Sequence, residues 1–351
     1  MEANNNFRNI QFTGKGLEYF QICIVNFFLS IITLGIYSAW ATVRTKKYIY
    51  GHTNVDGHAF QFHATPMQIL KGRLIAIVFF VAYLVCTSFS PILSLVMILV
   101  VLCLMPWAIV QSLKFKSQMT SYRNVRFNFT GTKKDAFLVF LLYPFLAFFT
   151  LYLALPWLLK KQNEFLLANR KYGNQTFSTH FQTSVFYRVC GIVLLSSLLP
   201  LIVIATMGML SVSAELALVY LLILVANPVA IFLVFIVIFL LGAITKTIYT
   251  ALIWKHITNN TQIKNVATFT SDITVLGLIG LNVTNFIAFV CTLGLAGPWV
   301  AIRSMRYFST HTQYKIEPEI ENVIGEVLKK SSALGTEASD LFDIDVGGAV
   351  I

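Results

Sequence analysis

Thr33-Leu34-Gly35-Ile36-Tyr37-Ser38-Ala39-Trp40-Ala41-Thr42-Val43-Arg44-Thr45-Lys46-Lys47-Tyr48 is the stretch on which the reading of this chain turns. An apolar segment ends here on Gly and Trp and passes at once into positive charge. Residues 19–41 carry no charge, and as a helix they would extend about 34 Å, enough to cross a bilayer. A Trp at such an end suits the headgroup layer, and Arg44, Lys46 and Lys47 mark a cytoplasmic flank.

The rest of the chain repeats the theme. Hydrophobic residues make up 57% and charged residues 12%, against roughly 25% charged in soluble domains. One aqueous core cannot hide so much apolar surface, so the bilayer is the expected solvent. Further apolar stretches lie at 74–89, 92–110, 136–159, 189–209, 216–249 and 273–302, and the fifth is broken at Asn227-Pro228. The expected fold class is an α-helical polytopic membrane protein with internal repeats. It would have about 6–8 membrane segments, some re-entrant, and short β-strands in its basic cytoplasmic loops.

The repeat shows in the spacing. Trp40, Trp157 and Trp299 each follow a Thr-Leu pair by the same interval: Thr33-Leu34, Thr150-Leu151 and Thr292-Leu293. Pro106-Trp107 matches Pro156-Trp157 and Pro298-Trp299. Four residues after each Trp stand Arg44, Gln111, Lys161 and Arg303; eight after stand Tyr48, Phe115, Phe165 and Tyr307. On a helix these positions form one stripe, so they read as structural anchors at the membrane interface. Phe60, Phe127 and Phe177 lie twenty residues after the first three tryptophans, and Tyr249 to Phe269 repeats that interval as a degenerate fifth copy. Aromatic belts and positive flanks are general, but they do not explain shared spacing, which internal duplication does. The expected organisation is a repeat-built membrane domain over 1–316. Its units lie near 12–62, 129–179 and 269–316, with helical hairpins 74–110 and 189–249 between them. An acidic, largely disordered tail, 317–351, follows.

The net charge of +11 is unevenly spread. Glu317, Glu319, Glu321, Glu326, Glu337, Asp340, Asp343 and Asp345 face only Lys329 and Lys330 in the tail. Elsewhere the basic residues sit beside apolar segments, which points to anionic lipid headgroups as partners and away from nucleic acid. The alternation Asp340-Leu341-Phe342-Asp343 suits docking to a soluble protein partner. Basic residues follow every copy, yet three full crossings would put 41–68 and 158–188 on opposite faces. Segments carrying Asn26, Pro144 and Asn285 would remove that conflict if they turned back half-way.

The run Phe12-x-Gly14-x-Gly16-x-Glu18-Tyr19-Phe20, with Asn26, Thr33-Leu34-Gly35-Ile36-Tyr37, Trp40, Arg44, Lys47-Tyr48 and Gly57…Phe60, resembles the YjgN family of bacterial inner-membrane proteins. That is a domain family of unknown function. The resemblance is strong over 10–66 and weaker to about residue 316. It implies a multi-pass protein of the bacterial cytoplasmic (inner) membrane and carries over no catalytic or binding residue.

Chemical motifs are sparse. His52, His58, His63 and His180 lack metal-ligand spacing and read as solvated loop residues. The five cysteines form no CxxC pair. No Gly-x-Ser-x-Gly, His-Glu-x-x-His or Walker-type run occurs, so neither enzymatic activity nor a cofactor is expected. Carboxylates are nearly absent from the apolar stretches, which speaks against a proton relay. Asn26, Asn227, Asn282 and Asn285 stand at depth, either lining a path or packing helices. The expected function is therefore transport or permeation of a small solute. Its alternative is a non-transporting scaffold or anionic-lipid-sensing protein, and an enzyme acting on lipid comes third.

Overall fold

The computed structural model describes residues 7–211, 227–327 and 329. Its elements recur in the order strand, helix, helix, strand. β1 (Arg8–Asn9) and β2 (Gln11–Phe12) lead into α1 (Gly16–Ile32) and α2 (Ser38–Gly51), which return to β3 (Thr53–Val55). β4 (His58–Phe62), α3 (Pro66–Phe89), α4 (Pro91–Gln118) and β5 (Thr120–Tyr122) follow. Next come β6 (Val125–Phe129), α5 (Lys133–Phe137), a π-turn (Leu138–Leu142), α6 (Tyr143–Phe149), α7 (Leu155–Ala168) and β7 (Arg170–Tyr172). β8 (Gln175–Thr179), α8 (Thr183–Ser211), α9 (Pro228–Asn259) and β9 (Thr261–Ile263) come fourth, with 212–226 outside the described residues. The order ends with β10 (Ala267–Ser271), α10 (Val275–Cys291), α11 (Gly297–Thr310) and β11 (Thr312–Ile316). It therefore also runs through 74–110 and 189–249, the stretches read from sequence as plain hairpins.

The fold class is not the one expected. Eleven strands among the described residues form one antiparallel sheet in the order β1-β11-β10-β9-β8-β7-β6-β5-β4-β3-β2. Because β1 and β2 flank Ile10 on a single segment, pairing Arg8 with Tyr314 and Phe12 with Thr53, the sheet is a nearly closed barrel. Among the described residues only Pro66–Phe89, Pro91–Gln118 and Ile238–Asn259 are long and apolar enough to cross a membrane. A polytopic helical protein of six to eight spans is thereby corrected to a short-stranded barrel crowned by helix pairs. Strands of two to five residues are too short to show period-2 alternation. They form because hydrogen-bonding partners come both from the other end of the same unit, as in β2–β3 and β4–β5, and from the next unit, as in β3–β4 and β5–β6.

All hairpin turns lie at one rim of the barrel and all helix pairs leave from the other. The turns at Asp56-Gly57 (φ 48° and 76°) and Arg123-Asn124 (48° and 63°) have the left-handed pair of residues that matches strand twist. Neighbouring units also pack through their helices: α2 on α3, α4 on α5, α7 on α8, α9 on α10, and α11 back on α1. A recurrent bond closes each unit at the base of its helix pair. The N–H of Thr13, His63, Thr130, His180 and Asp272 donates to the carbonyl of His52, Met119, Asn169, Asn260 and His311, at 2.8–3.3 Å. The aromatic eight residues after each Trp lies here: Phe165 against Phe129 (ring centroids 5.6 Å), Tyr48 near Phe12, Phe115 near Phe62, and Tyr307 near Leu278. Gly131 makes room for this packing, since a Cβ there would come within 2.7 Å of the Phe129 ring and 3.0 Å of Phe165. Gly131→Val is expected to cost about 1–3 kcal/mol by overpacking, read as a lower thermal midpoint in detergent.

The barrel interior is aromatic. Phe60, Phe127 and Phe177 line it, with successive ring centroids 6.3 and 6.4 Å apart. Tyr122 and Tyr172 form the next layer, and their hydroxyls donate to the carbonyls of Val55 (2.9 Å) and Tyr122 (3.0 Å). The Asp56 N–H donates to the Tyr314 hydroxyl at 2.7 Å. A helical segment, 320–327, closes the turn-side end with Ile320, Val323 and Ile324 buried in this core. An eight-stranded barrel is just filled by side chains; this wider one takes large rings and a helix. The acidic end beyond 330 lies outside the described residues. Burial raises the Tyr172 pKa and pushes that of Tyr122 up to about 12 from an ordinary 10.0. A tyrosine raised on folding adds stability below pH 10 and loses it as pH climbs toward its folded pKa. Stability should therefore fall above pH 10, and less steeply in Tyr122→Phe, which starts lower because the Val55 carbonyl loses a donor.

Candidate anion site at the barrel mouth

The helix-side mouth of the barrel opens into a cavity of about 600 Å³. Phe60, Phe127 and Phe177 form its floor, and three cations from three different units stand in its wall: Lys46, Lys116 and Arg170. The local fold explains each position. Lys46 lies in the last turns of α2, and Lys116 in the last turn of α4, where the helix C-terminus favours a cation. Arg170 opens β7 opposite Phe129. Lys46 Nζ stands 5.0 Å from the centre of the Phe62 ring, a cation–π distance.

Among the described residues no carboxylate answers this charge. The ion pairs among the described residues are Arg8–Asp56, Lys15–Glu18, Arg123–Glu321, Lys160–Glu164, Lys161–Glu164 and Lys315–Glu317. None includes a cavity cation. Arg170 Nε is buried without a hydrogen-bond partner. Burial depresses the Arg170 pKa, although a guanidinium stays charged. Burial first and the charge of Lys116 second hold the Lys46 ammonium below the usual lysine range. Half-buried cations that repel each other and lack counter-ions favour an anion between them.

The residues singled out from sequence are placed differently. Trp40 stacks on Tyr37, Trp157 lies against Tyr143, and Trp299 stacks on Phe20; Trp107 is 48% exposed. Arg44 is exposed, Lys161 pairs with Glu164 at 2.9 Å, and Arg303 donates to Asn285 Oδ1 at 3.3 Å. Asn282 and Asn285 come together along a second cavity of about 720 Å³ between α9 and α10. Asn282 donates there to Thr247 (2.8 Å) and Asn285 to Ser304 (3.2 Å). Asn26 is buried in α1 with an unpartnered Oδ1, and Asn227 accepts from the Val229 N–H where α9 begins. None of these four lines the barrel mouth. The cationic trio went unnoticed in the sequence because its members lie in separate units. The only local signal was lysine or arginine without a nearby acid. Among the described residues no group of three His, Cys, Asp or Glu could hold a metal.

Taken together, the chain has an aromatic-filled barrel with a cationic mouth, crowned by apolar helix pairs, and three helices among the described residues are long and apolar enough to cross a membrane. It belongs to the family described as bacterial protein of unknown function (DUF898), whose model matches residues 7–341. It is similar to the inner membrane protein YjgN of Salmonella typhimurium, 33% identical over 43% of this chain and 39% of that one. It is also similar to the inner membrane protein YjgN of Escherichia coli, 35% identical over 38% of this chain and 34% of the other. The match therefore spans well under half the length of these relatives. No solved structure matches.

Proposed function

We propose that this is a bacterial inner-membrane protein whose barrel-mouth cavity binds a small oxyanion, as the recognition step in permeation of an anionic solute. The inner membrane enters this reading from the names of the relatives and from three helices of membrane-crossing length. The observation that carries the anion is the uncompensated trio of Lys46, Lys116 and Arg170 over an aromatic floor. The proposed role is binding without catalysis, and the five-fold order of elements is read as internal duplication. A second reading, non-transporting sensing of anionic headgroups, is favoured by the filling of the barrel bore with Phe and Tyr rings and helix 320–327.

Calorimetry in phosphatidylcholine nanodiscs with pyrophosphate, beside flux into proteoliposomes, separates these readings. Salt-sensitive binding with uptake supports permeation. Binding without uptake that phosphatidylglycerol displaces supports headgroup sensing. Binding of neither ligand removes the anion site. A soluble partner for the acidic end beyond residue 330 belongs to the same proposal, and unchanged copurification after deleting 331–351 would reject it.

A further inference from the structure

Three helix pairs end in one and the same turn. Leu34, Leu151 and Leu293 have φ of 48°, 49° and 50°, followed by Gly35, Tyr152 and Gly294 at 88°, 61° and 89°. In each turn a threonine hydroxyl ties the two helices together. Thr33 donates to the Leu29 carbonyl (2.7 Å) and accepts from the Tyr37 N–H (2.9 Å). Thr150 joins Ala147 to Ala154 and Thr292 joins Ala288 to Ala296 in the same way. This is the job of the repeated Thr-Leu pair. Three successive N–H groups in each turn are bonded internally: Leu34, Gly35 and Ile36; Leu151, Tyr152 and Leu153; Leu293, Gly294 and Leu295.

These leucines are 94%, 85% and 93% exposed. A left-handed conformation costs a non-glycine residue about 1–2 kcal/mol, and in water such an apolar projection gains nothing. In hydrocarbon, hiding a leucine side chain returns roughly 1.5–3 kcal/mol, and internally bonded N–H groups are what lipid demands of a turn. The tips also continue exposed apolar helix faces, with Ile32 at 75%, Phe149 at 67% and Val290 at 52%.

From these features we propose that the three leucine tips are lipid-contact wedges, inserted among bilayer acyl chains from the side on which the barrel lies. The helices that carry them run 14 or 17 residues along α2, α7, α11, α1 and α10, about 21–25 Å, less than a hydrocarbon core of about 30 Å. Both ends of each pair are held in the same sheet, so the tip enters and returns. The inference rests on the membrane placement proposed above and is independent of the anion.

The test uses the full-length chain with its five native cysteines replaced, carrying Leu34→Cys, Leu151→Cys or Leu293→Cys labelled with an environment-sensitive dye, in liposomes. Asp56→Cys at the turn-side rim is the aqueous control. Quenching at the tips by lipids bearing a mid-chain spin label, with none by iodide on either side, is expected. Iodide quenching like that of Asp56→Cys overturns the inference, and so does quenching by neither, which would mean protein contact. The combined Leu34→Asn, Leu151→Asn and Leu293→Asn chain keeps residues that accept the left-handed turn. Retained folding with weakened resistance to extraction from liposomes is expected, and unchanged extraction counts against the wedges. Loss of pyrophosphate binding with intact tip quenching would remove the anion site alone.

Discussion

Replacing Lys46, Lys116 and Arg170 together with methionine is expected to abolish the proposed pyrophosphate binding, and Arg170→Met alone to weaken it about 10–100-fold, or 1.4–2.8 kcal/mol. The size follows from what the site lacks. A charged hydrogen bond contributes about 1.5–3 kcal/mol, and among the described residues no carboxylate competes for the cations. Unliganded Lys46 and Lys116 repel each other, so an anion relieves a cost as well as making contacts. Binding should weaken as pH rises through the Lys46 pKa, which burial and Lys116 hold below the ordinary lysine value. The sign is fixed because the ammonium is the form that attracts the anion. Lys46→Arg should shift this loss to higher pH, because a guanidinium stays protonated there. Calorimetry across pH, with the free anion titrated separately, checks both. Equal affinity in Arg170→Met and the parent chain would move the site elsewhere.

The second large effect concerns helix 320–327. Ile324→Asp puts an unpaired carboxylate among Tyr122, Tyr172 and Tyr314 and should abolish cooperative unfolding of the barrel, because an isolated buried charge costs far more than a domain can spare. Ile324→Ala is the milder variant, costing about 2–5 kcal/mol as a cavity. Glu321 pairs with Arg123 at 2.6 Å, but its side chain is 65% exposed, so Glu321→Gln should cost at most about 1 kcal/mol. Thermal unfolding followed by near-ultraviolet circular dichroism ranks the three. If Glu321→Gln proves worse than Ile324→Ala, charge rather than burial seats the helix.

Some of this architecture could be read directly from residues. Thr-Leu before Trp40, Trp157 and Trp299 marked a recurrent spacing, although the turn it makes and the exposure of Leu34, Leu151 and Leu293 could not be read. The aromatic eight residues on marked a repeated contact. Tyr48, Phe115, Phe165 and Tyr307, read as interface anchors, pack inside their own units at the base of each helix pair. Phe60, Phe127 and Phe177 announced strands by spacing, but two- to five-residue strands carry no pattern that names their partners. A nearly closed sheet was therefore mistaken for decoration on a helical bundle. The buried polar hint in Asn282 and Asn285 was local and could be picked out; the cationic mouth was not.

Residue chemistry and spacing alone determined the apolar character of the chain and carried the family resemblance, while recurrent units and basic flanks were expectations drawn from them. Those properties are local, because transfer energies and helical periodicity act within a dozen residues. Sheet closure, the aromatic bore, the seat of helix 320–327 and the meeting of Lys46, Lys116 and Arg170 arose only in the tertiary structure. Each depends on pairing between segments about fifty or more residues apart, where register and proximity are set by the ring of units as a whole.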